Sequence, residues 1–425
     1  MRSIHFLAWA ALAACSNDAA PRLIAGGGVG DGSIDGRLNV HVIDSADQPV
    51  ANATVRVGDT DKTTDEKGLV VFEDVEGPQT ISVKMDQFRS AVWVGANGAN
   101  VTIPLRAMTP PPPAQAMLSG NIAGWGAISL PANHLKPAAV STSQTDDLGD
   151  PENKVMMGAG NTCGLFGSEC NWSIASRTGP ITVVAMILDL DTKGTITTAD
   201  DTTSVIGWAT RTVVVEKGVN QTGLGLTMVE AGNLETVSID LGTPPAGLTQ
   251  TSAIVGIEVS KDEVIQIPLI ATSDQSKLLA PKRTLLSADG TYRLTAIAQT
   301  AMGEDGAQSI VLRRGDQDAQ LAAGEWLIPP TNVSATRTSA SFTPVAGAKL
   351  HTVTYLDTNR SELLEIVLFD SKRTTVDVPA LVALPGITLT ARVNAIGADI
   401  DLDDFSLDED RARLFAITAQ PTTVQ

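Results

Sequence analysis

The pattern of hydrophobic and polar positions predicts short strands along most of the chain. Valine, leucine and isoleucine alternate with polar residues in runs such as residues 38–42 (LNVHV) and 81–83 (ISV). This two-residue period places alternate side chains on opposite faces of a sheet, and Gly, Asp and Asn separate the runs as turn residues. In the middle of the chain no helical period continues beyond one or two turns. The sequence therefore predicts an all-β protein built of tandem β-sandwich domains.

The first residues follow a different pattern. Arg2 precedes a short apolar run that ends in small residues directly before Cys15. The run is too short to cross a bilayer as a helix, which favours a targeting signal over residues 1–14. The tetrapeptide LAAC at residues 12–15 resembles a bacterial lipobox. That resemblance implies cleavage before Cys15, lipidation of its thiol and attachment to a membrane through the lipid. An ordinary signal peptide with an incidental cysteine is the alternative.

Residues 15–35 are small, glycine-rich and polar, and they show no period. Such a composition predicts a flexible tether that lets the folded part stand off a membrane. Ser16 follows the cysteine. By resemblance to Gram-negative lipoproteins, the absence of Asp at that position indicates sorting to the outer membrane or cell surface.

Composition and charge narrow the classes of partner. The chain has 425 residues, 43% of them hydrophobic but only 4% aromatic, so aliphatic side chains and threonine must fill the cores. The formal net charge of −18 repels phosphate backbones, which excludes nucleic acid as a partner and also excludes binding to anionic lipid through charge. No apolar run after Ala14 approaches 18 residues, so we expect no second membrane segment.

The first predicted sandwich covers residues 36–106. Pro49 can turn the chain at a strand end, Ala53 is small enough for close packing, and Gly68 suits the turn of a T-D-x-x-G hairpin. With these positions, the run GRLNVHVIDSADQPVANATVRV resembles the start of the carboxypeptidase regulatory-like (prealbumin-like) module. The resemblance implies a small Ig-like sandwich without catalytic residues, which serves as a spacer, a folding aid or a contact surface.

The remaining chain divides into three parts. Four prolines at residues 110–113 predict a stiff polyproline-II linker over residues 107–116. Residues 117–328 form a β-rich middle region, either one large sandwich or two small ones with a break near Gly232. Residues 329–425 begin with PPTNVSA and continue with FTPVAGA, which resembles the opening of a fibronectin type III-like domain. Phe342 stands where that family usually has tryptophan.

Two cysteines remain if Cys15 is lipidated. An exported, oxidising compartment favours a disulfide between Cys163 and Cys170, which closes a loop of about eight residues. A metal site is the alternative. It needs two further ligands, and His134 is the nearest histidine.

The sequence predicts no enzyme activity. His41, His134 and His351 lie in unrelated contexts, and the chain has no G-x-S-x-G, H-E-x-x-H or P-loop motif. The alternative is a glycan-active enzyme with a pair of catalytic carboxylates in the middle region. An aromatic-lined cleft would favour that alternative, since sugar rings stack on exposed indoles. The tryptophans concerned are Trp125, Trp172, Trp208 and Trp326.

Residues 189–200 partly resemble a calcium-binding loop. Asp189, Asp191 and Asp200 supply oxygen donors at positions 1, 3 and 12, but Lys193 occupies position 5, where a ligand oxygen is expected. The strands expected on either side favour a hairpin turn at Gly194 over a calcium site. Residues 399–410 are rich in aspartate, which is typical of a solvated loop that binds calcium weakly at most.

These observations predict a lipid-anchored, non-enzymatic protein of the bacterial cell envelope. Its sandwiches would contact an envelope protein or a glycan. A subunit of an envelope machine, in which partners supply the chemistry, is a further alternative.

Overall fold

The computed structural model describes residues 20–108, 115–145, 161–163, 168–195, 201–260, 263–269, 276–300, 306–410 and 413–425, with the backbone alone at 161–163 and 266–269. The signal segment and Cys15 lie outside these residues. None of the described helices is long and apolar enough to span a bilayer.

The strands follow one another along the chain in four groups. The first comprises β1 (Gly28–Gly30), β2 (Asp35–Ile43), β3 (Thr54–Val57), β4 (Thr60–Thr63), β5 (Leu69–Glu76), β6 (Gln79–Lys84), β7 (Ser90–Ala96) and β8 (Asn100–Pro104). The second comprises β9 (Gln115–Ile122), a 3-10 turn (Trp125–Ala127), β10 (His134–Leu135), β11 (Ala138–Thr142), β12 (Asn161–Cys163), β13 (Asn171–Arg177), β14 (Gly179–Asp191), β15 (Thr202–Val215) and β16 (Gln221–Met228).

The third group begins after a 3-10 turn (Ala231–Asn233). It comprises β17 (Leu234–Asp240), β18 (Gln250–Ser260), β19 (Glu263–Leu269), β20 (Lys277–Pro281), the short helix α1 (Arg283–Leu286), β21 (Thr291–Gln299), β22 (Gln308–Asp316) and β23 (Gln320–Ala322). The fourth comprises β24 (Thr331–Ala335), β25 (Ser339–Thr343), β26 (Leu350–Leu356), β27 (Glu362–Leu368), β28 (Thr375–Asp377), a 3-10 turn (Ala380–Val382), β29 (Thr390–Ala398), β30 (Phe405–Ser406) and β31 (Leu414–Thr423).

The protein is all-β and consists of tandem β-sandwiches, which confirms the predicted fold class. Each of the four groups builds its own cluster of buried apolar side chains. Alternation along the strands fills these cores: Leu38, Val40 and Val42 of β2 are completely buried in the first. The middle region contains two of the clusters, and Gly232 lies in the 3-10 turn between them.

One twelve-stranded sheet runs through three of the sandwiches. Its order is β19-β18-β21-β22-β31-β29-β26-β27-β7-β6-β3-β4, so the third, fourth and first sandwiches each contribute four neighbouring strands. The antiparallel pair β22–β31 joins the third sandwich to the fourth, and the parallel pair β27–β7 joins the fourth to the first. Because the ladder is continuous, these three sandwiches are joined by backbone hydrogen bonds and not only by linkers.

Strand β7 serves two cores at once. Trp93 packs in the first core beside Phe369 and Phe405, with ring centroids 5.3 and 6.4 Å away. Its neighbours Val92 and Val94 point the other way, into the fourth core. Successive side chains of a strand face opposite sides of the sheet, so the covering layers of the first and fourth sandwiches lie on opposite faces.

The tether prediction is wrong for residues 20–35, where backbone hydrogen bonds fix the chain to the first sandwich. The Arg22 backbone N–H donates to Asn100 Oδ1 (2.9 Å) and that of Ile24 to Thr102 Oγ1 (2.9 Å). Strand β1 then lies between β8 and β30, and Val29 is completely buried in the first core. Residues 15–19 lie outside the described part of the chain.

A close approach of two strands explains why this segment is rich in glycine. A β-carbon built at Gly28 would lie 2.1 Å from the carbonyl oxygen of Phe405, on the neighbouring strand β30. The sequence suggested flexibility, but here glycine lets two backbones come close.

The acidic run at residues 399–410 is also more than a solvated loop. It contains β30, whose Phe405 is buried against Trp93. Asp410 accepts a hydrogen bond from the Ser406 N–H (3.0 Å) and pairs with Arg413 (3.3 Å). Some of these aspartates therefore shape the turns that place β30 on β1.

The predicted linker at residues 107–116 is shorter than expected. Met108 N–H donates to the carbonyl oxygen of Gln87 (2.8 Å), and β9 begins at Gln115. The four prolines at 110–113 lie outside the described residues.

The second sandwich packs against the third. Its sheet has the order β12-β11-β14-β15-β16-β9-β13, with β10 beside β14. Val184 of β14 and Trp208 of β15 point out of their own sandwich into the third core, where Trp208 Nε1–H donates to the carbonyl oxygen of Leu279 (2.9 Å). The middle region is thus two sandwiches that share packing.

Ion pairs of one buried arginine join the first sandwich to the fourth. Arg89 is 4% exposed and contacts the carboxylates of Glu362 and Glu365, the latter at 2.7 Å. We expect the double variant Glu362→Gln/Glu365→Gln to lose about 3 kcal/mol of unfolding free energy, because it leaves a buried guanidinium without counter-charge. Chemical denaturation at neutral pH measures the loss.

The exposed pair Arg56–Asp61 provides the matched control. Asp61→Asn should leave the unfolding free energy close to that of the parent protein, since exposed ion pairs contribute little. Equal losses in the two variants would contradict a structural role for Arg89 at the junction.

Candidate functional site

One tryptophan stands apart from the others that the structure describes. Trp93, Trp125, Trp172 and Trp208 are 4%, 2%, 3% and 1% exposed and belong to the cores. Trp326 is only half-buried. The sequence left open which of its four candidate tryptophans meets solvent, and the structure singles out Trp326.

Trp326 lies on an extended segment, residues 323–330, that connects the third sandwich to the fourth. Leu327 points inward at 8% exposure, and its carbonyl oxygen accepts a hydrogen bond from Ser309 Oγ (2.8 Å). Its neighbour Ile328 is 64% exposed. Leu327 is therefore buried and Ile328 points outward, while Trp326 packs against the third core and stays partly exposed.

A fixed orientation distinguishes Trp326 from a loose surface side chain. Its Nε1–H donates to the carbonyl oxygen of Leu241 (2.9 Å), in the loop that follows β17. The same loop supplies Thr243 and Pro245, which together with the indole line an open depression of about 390 Å³. Gly324, Glu325 and Ile328 complete its lining.

Gly324 allows the segment to pass close to a charged side chain. Its φ is +73°, and a β-carbon there would lie 2.5 Å from Nη2 of Arg313 on β22. The guanidinium therefore lies against the backbone of Gly324. Any larger residue would displace either the arginine or the segment that carries Trp326.

The chemistry of the depression suits binding. It offers an apolar wall of indole, proline and isoleucine, one hydroxyl from Thr243 and one carboxylate from Glu325. Glycoside hydrolysis needs two carboxylates on either side of the scissile bond. The lining supplies one, so the structure gives the glycan-hydrolase alternative no support at this site.

The three histidines that the structure describes lie in three different sandwiches. His41 lies on strand β2 of the first sandwich and is buried, and this burial lowers its pKa. His351, in the fourth, is completely buried; burial lowers its pKa to about 4, and its Nε2 accepts the Val345 N–H (3.1 Å). His134, in the second, contacts Asp189. They form no joint catalytic group.

In the candidate calcium loop, two of the three aspartates already contact basic side chains of the protein. Asp189 Oδ1 lies 2.7 Å from His134 Nδ1, and the ammonium of Lys193 contacts Asp191. This contact and the Lys193 backbone N–H lower the pKa of Asp191. Asp200 lies outside the described residues, and no group of three His, Cys, Asp or Glu within the described part is placed to hold a metal.

The predicted disulfide stays a prediction. Cys170 is completely buried in the second core. Cys163 ends strand β12, which pairs with β11, but its side chain lies outside the described residues.

Comparisons with known proteins give coarse likenesses only. No family model and no curated protein matches the chain. Among solved structures, the Bacillus anthracis TIE protein is 11% identical with a TM-score of 0.15, covering 68% of this chain and 49% of its own. The pilus adhesin SpaC from Lactobacillus rhamnosus GG is 11% identical with a TM-score of 0.14, covering 78% and 42%.

Two B repeat units of the Staphylococcus aureus collagen-binding protein CNA are 9% identical with a TM-score of 0.13, covering 90% of this chain and 98% of that one. Of the Bacillus anthracis TIE protein, by contrast, this chain spans only about half the length.

A calcium titration tests the loop at residues 189–200. Because Lys193 already neutralises Asp191, we expect calcium to leave the melting temperature of the parent protein unchanged. Differential scanning fluorimetry with and without millimolar calcium measures this. A rise that disappears in the Asp189→Ala/Asp191→Ala variant would instead establish the calcium site.

Proposed function

We propose that this chain is a non-enzymatic binding protein of the bacterial cell envelope. It is held to a membrane by lipid on Cys15 and contacts an envelope protein or a glycan through the depression beside Trp326. The observation that carries the binding role is the partly exposed indole of Trp326, fixed by Leu241 in an open depression beside the segment that connects the third sandwich to the fourth.

Two features of the fold support a role in binding. Pockets of about 300–1,000 Å³ at domain junctions are the usual place for ligands, and this depression is lined in part by the segment that connects the third sandwich to the fourth. Both of its walls are attached to sandwiches that share one hydrogen-bonded sheet, so a ligand meets a surface that is already assembled.

The anchor is tested by metabolic labelling with an acyl-chain probe. We expect the full-length protein, expressed in a Gram-negative host, to carry the label and to sediment with membranes. Cys15→Ser removes the only thiol that the lipobox resemblance assigns for acylation, so it should lose both properties. A labelled Cys15→Ser variant would contradict the proposal.

The contact site is tested with residues 20–425 and isolated cell envelopes. Trp326→Ala should weaken binding about thirtyfold, since truncating a central tryptophan commonly costs about 2 kcal/mol. Cosedimentation titrations measure the apparent Kd. Thermal melting checks that the variant folds, because Trp326 also packs against the third core.

Ile328→Ala and Val214→Ala form a matched pair for the same assay. The two side chains are 64% and 66% exposed, but Ile328 lines the depression and Val214 lies on the second sandwich. Ile328→Ala should weaken binding and Val214→Ala should not. Parent-like binding by both Trp326→Ala and Ile328→Ala would overturn the assigned site.

A further inference from the structure

We infer that the depression beside Trp326 is a saccharide subsite that takes a neutral pyranose. The inference rests on the proposed binding role of the depression and adds the chemical class of the ligand. Its basis is the combination of one oriented indole with a few polar groups at the rim of an open surface.

The indole supplies the platform that a sugar ring needs. A pyranose presents C–H groups on its faces and hydroxyls around its edge, so it packs flat on an aromatic ring and leaves its hydroxyls free to bond elsewhere. The hydrogen bond to Leu241 holds the Trp326 ring in place, and Pro245 offers a second apolar wall. The cost of ordering the platform on binding is therefore low.

The rim supplies groups that hydroxyls recognise. Thr243 can both donate and accept a hydrogen bond, and the carboxylate of Glu325 accepts two or more. Both residues are exposed, so neither has to be uncovered before a ligand arrives. The openness of the depression suits a sugar within or at the end of a longer chain.

Charge favours a neutral sugar over an acidic one. The protein carries a net charge of −18, and the one ionised group in the lining is Glu325. A sulfated or carboxylated glycan would meet repulsion both at long range and at the site. The guanidinium of Arg313, on β22, lies against the backbone of Gly324, and Arg313 is not among the residues that line the depression.

A proline-rich peptide is the main competitor for a surface that contains tryptophan. Grooves that bind polyproline helices are lined by several aromatic side chains, which form slots for successive prolines. Here Trp326 is the single aromatic residue in the lining, and two of its six residues are polar hydrogen-bonding side chains. The composition therefore favours a sugar.

Selective destruction of envelope components tests the ligand class. Isolated envelopes are treated either with periodate, which cleaves vicinal diols of sugars, or with a broad protease, and residues 20–425 are then titrated against each. We expect periodate to reduce bound protein at least tenfold and protease to leave it within twofold. A glycan array should rank neutral chains above sulfated or uronic ones.

The outcomes separate the inference from the function on which it rests. Loss of binding after protease but not after periodate overturns the saccharide and leaves a binding protein with a protein partner. Preference for acidic glycans on the array overturns the neutral class. Parent-like envelope binding by both Trp326→Ala and Ile328→Ala removes the site and the inference together. Thr243→Val, which alters only a rim hydroxyl, should weaken array binding about threefold or more without changing the melting temperature.

Discussion

Backbone hydrogen bonding between sandwiches is the interaction on which this architecture depends. A separate sandwich ends each sheet in a strand with unpaired N–H and C=O groups, which invites association with other chains. Here β7 pairs with β27 and β31 with β22, so four such edges are paired inside the molecule. Strand β4, at one outer end of the twelve-stranded sheet, is short and carries Asp61 and Lys62, as protected edges commonly do.

This pairing also determines where the depression can lie. Ser309 belongs to β22, at the junction of the third and fourth sandwiches, and its hydroxyl donates a hydrogen bond to the carbonyl oxygen of Leu327. Trp326 is thereby positioned from a central strand of the shared sheet, although it belongs to a connecting segment. Connecting segments that carry binding residues are most useful when a rigid scaffold holds them.

Local patterns in the sequence were enough for the fold class but not for its long-range partners. Leu38, Val40 and Val42 predicted β2 because a two-residue period reports burial of one face. Gly28 carried no such signal, since its role depends on Phe405 at the other end of the chain. Trp326 was one of four candidates, and only the loop at Leu241 decides that its ring is held at the surface. A large apolar residue on each side of Leu327 in an extended segment is the one local sign that could have singled it out.

The correction to the tether changes what a lipid at Cys15 would mean. The chain is fastened to the first sandwich from Ala20, whose carbonyl oxygen accepts a hydrogen bond from Asn100 Nδ2 (3.1 Å). Five residue steps separate Ala20 from Cys15, a reach of at most about 18 Å. The first sandwich would therefore lie close to the membrane. The depression adjoins β22, five strand spacings beyond β7, which adds roughly 24 Å along the sheet. With a short tether, it is then the stiffness of the shared sheet that would separate the binding site from the anchored sandwich.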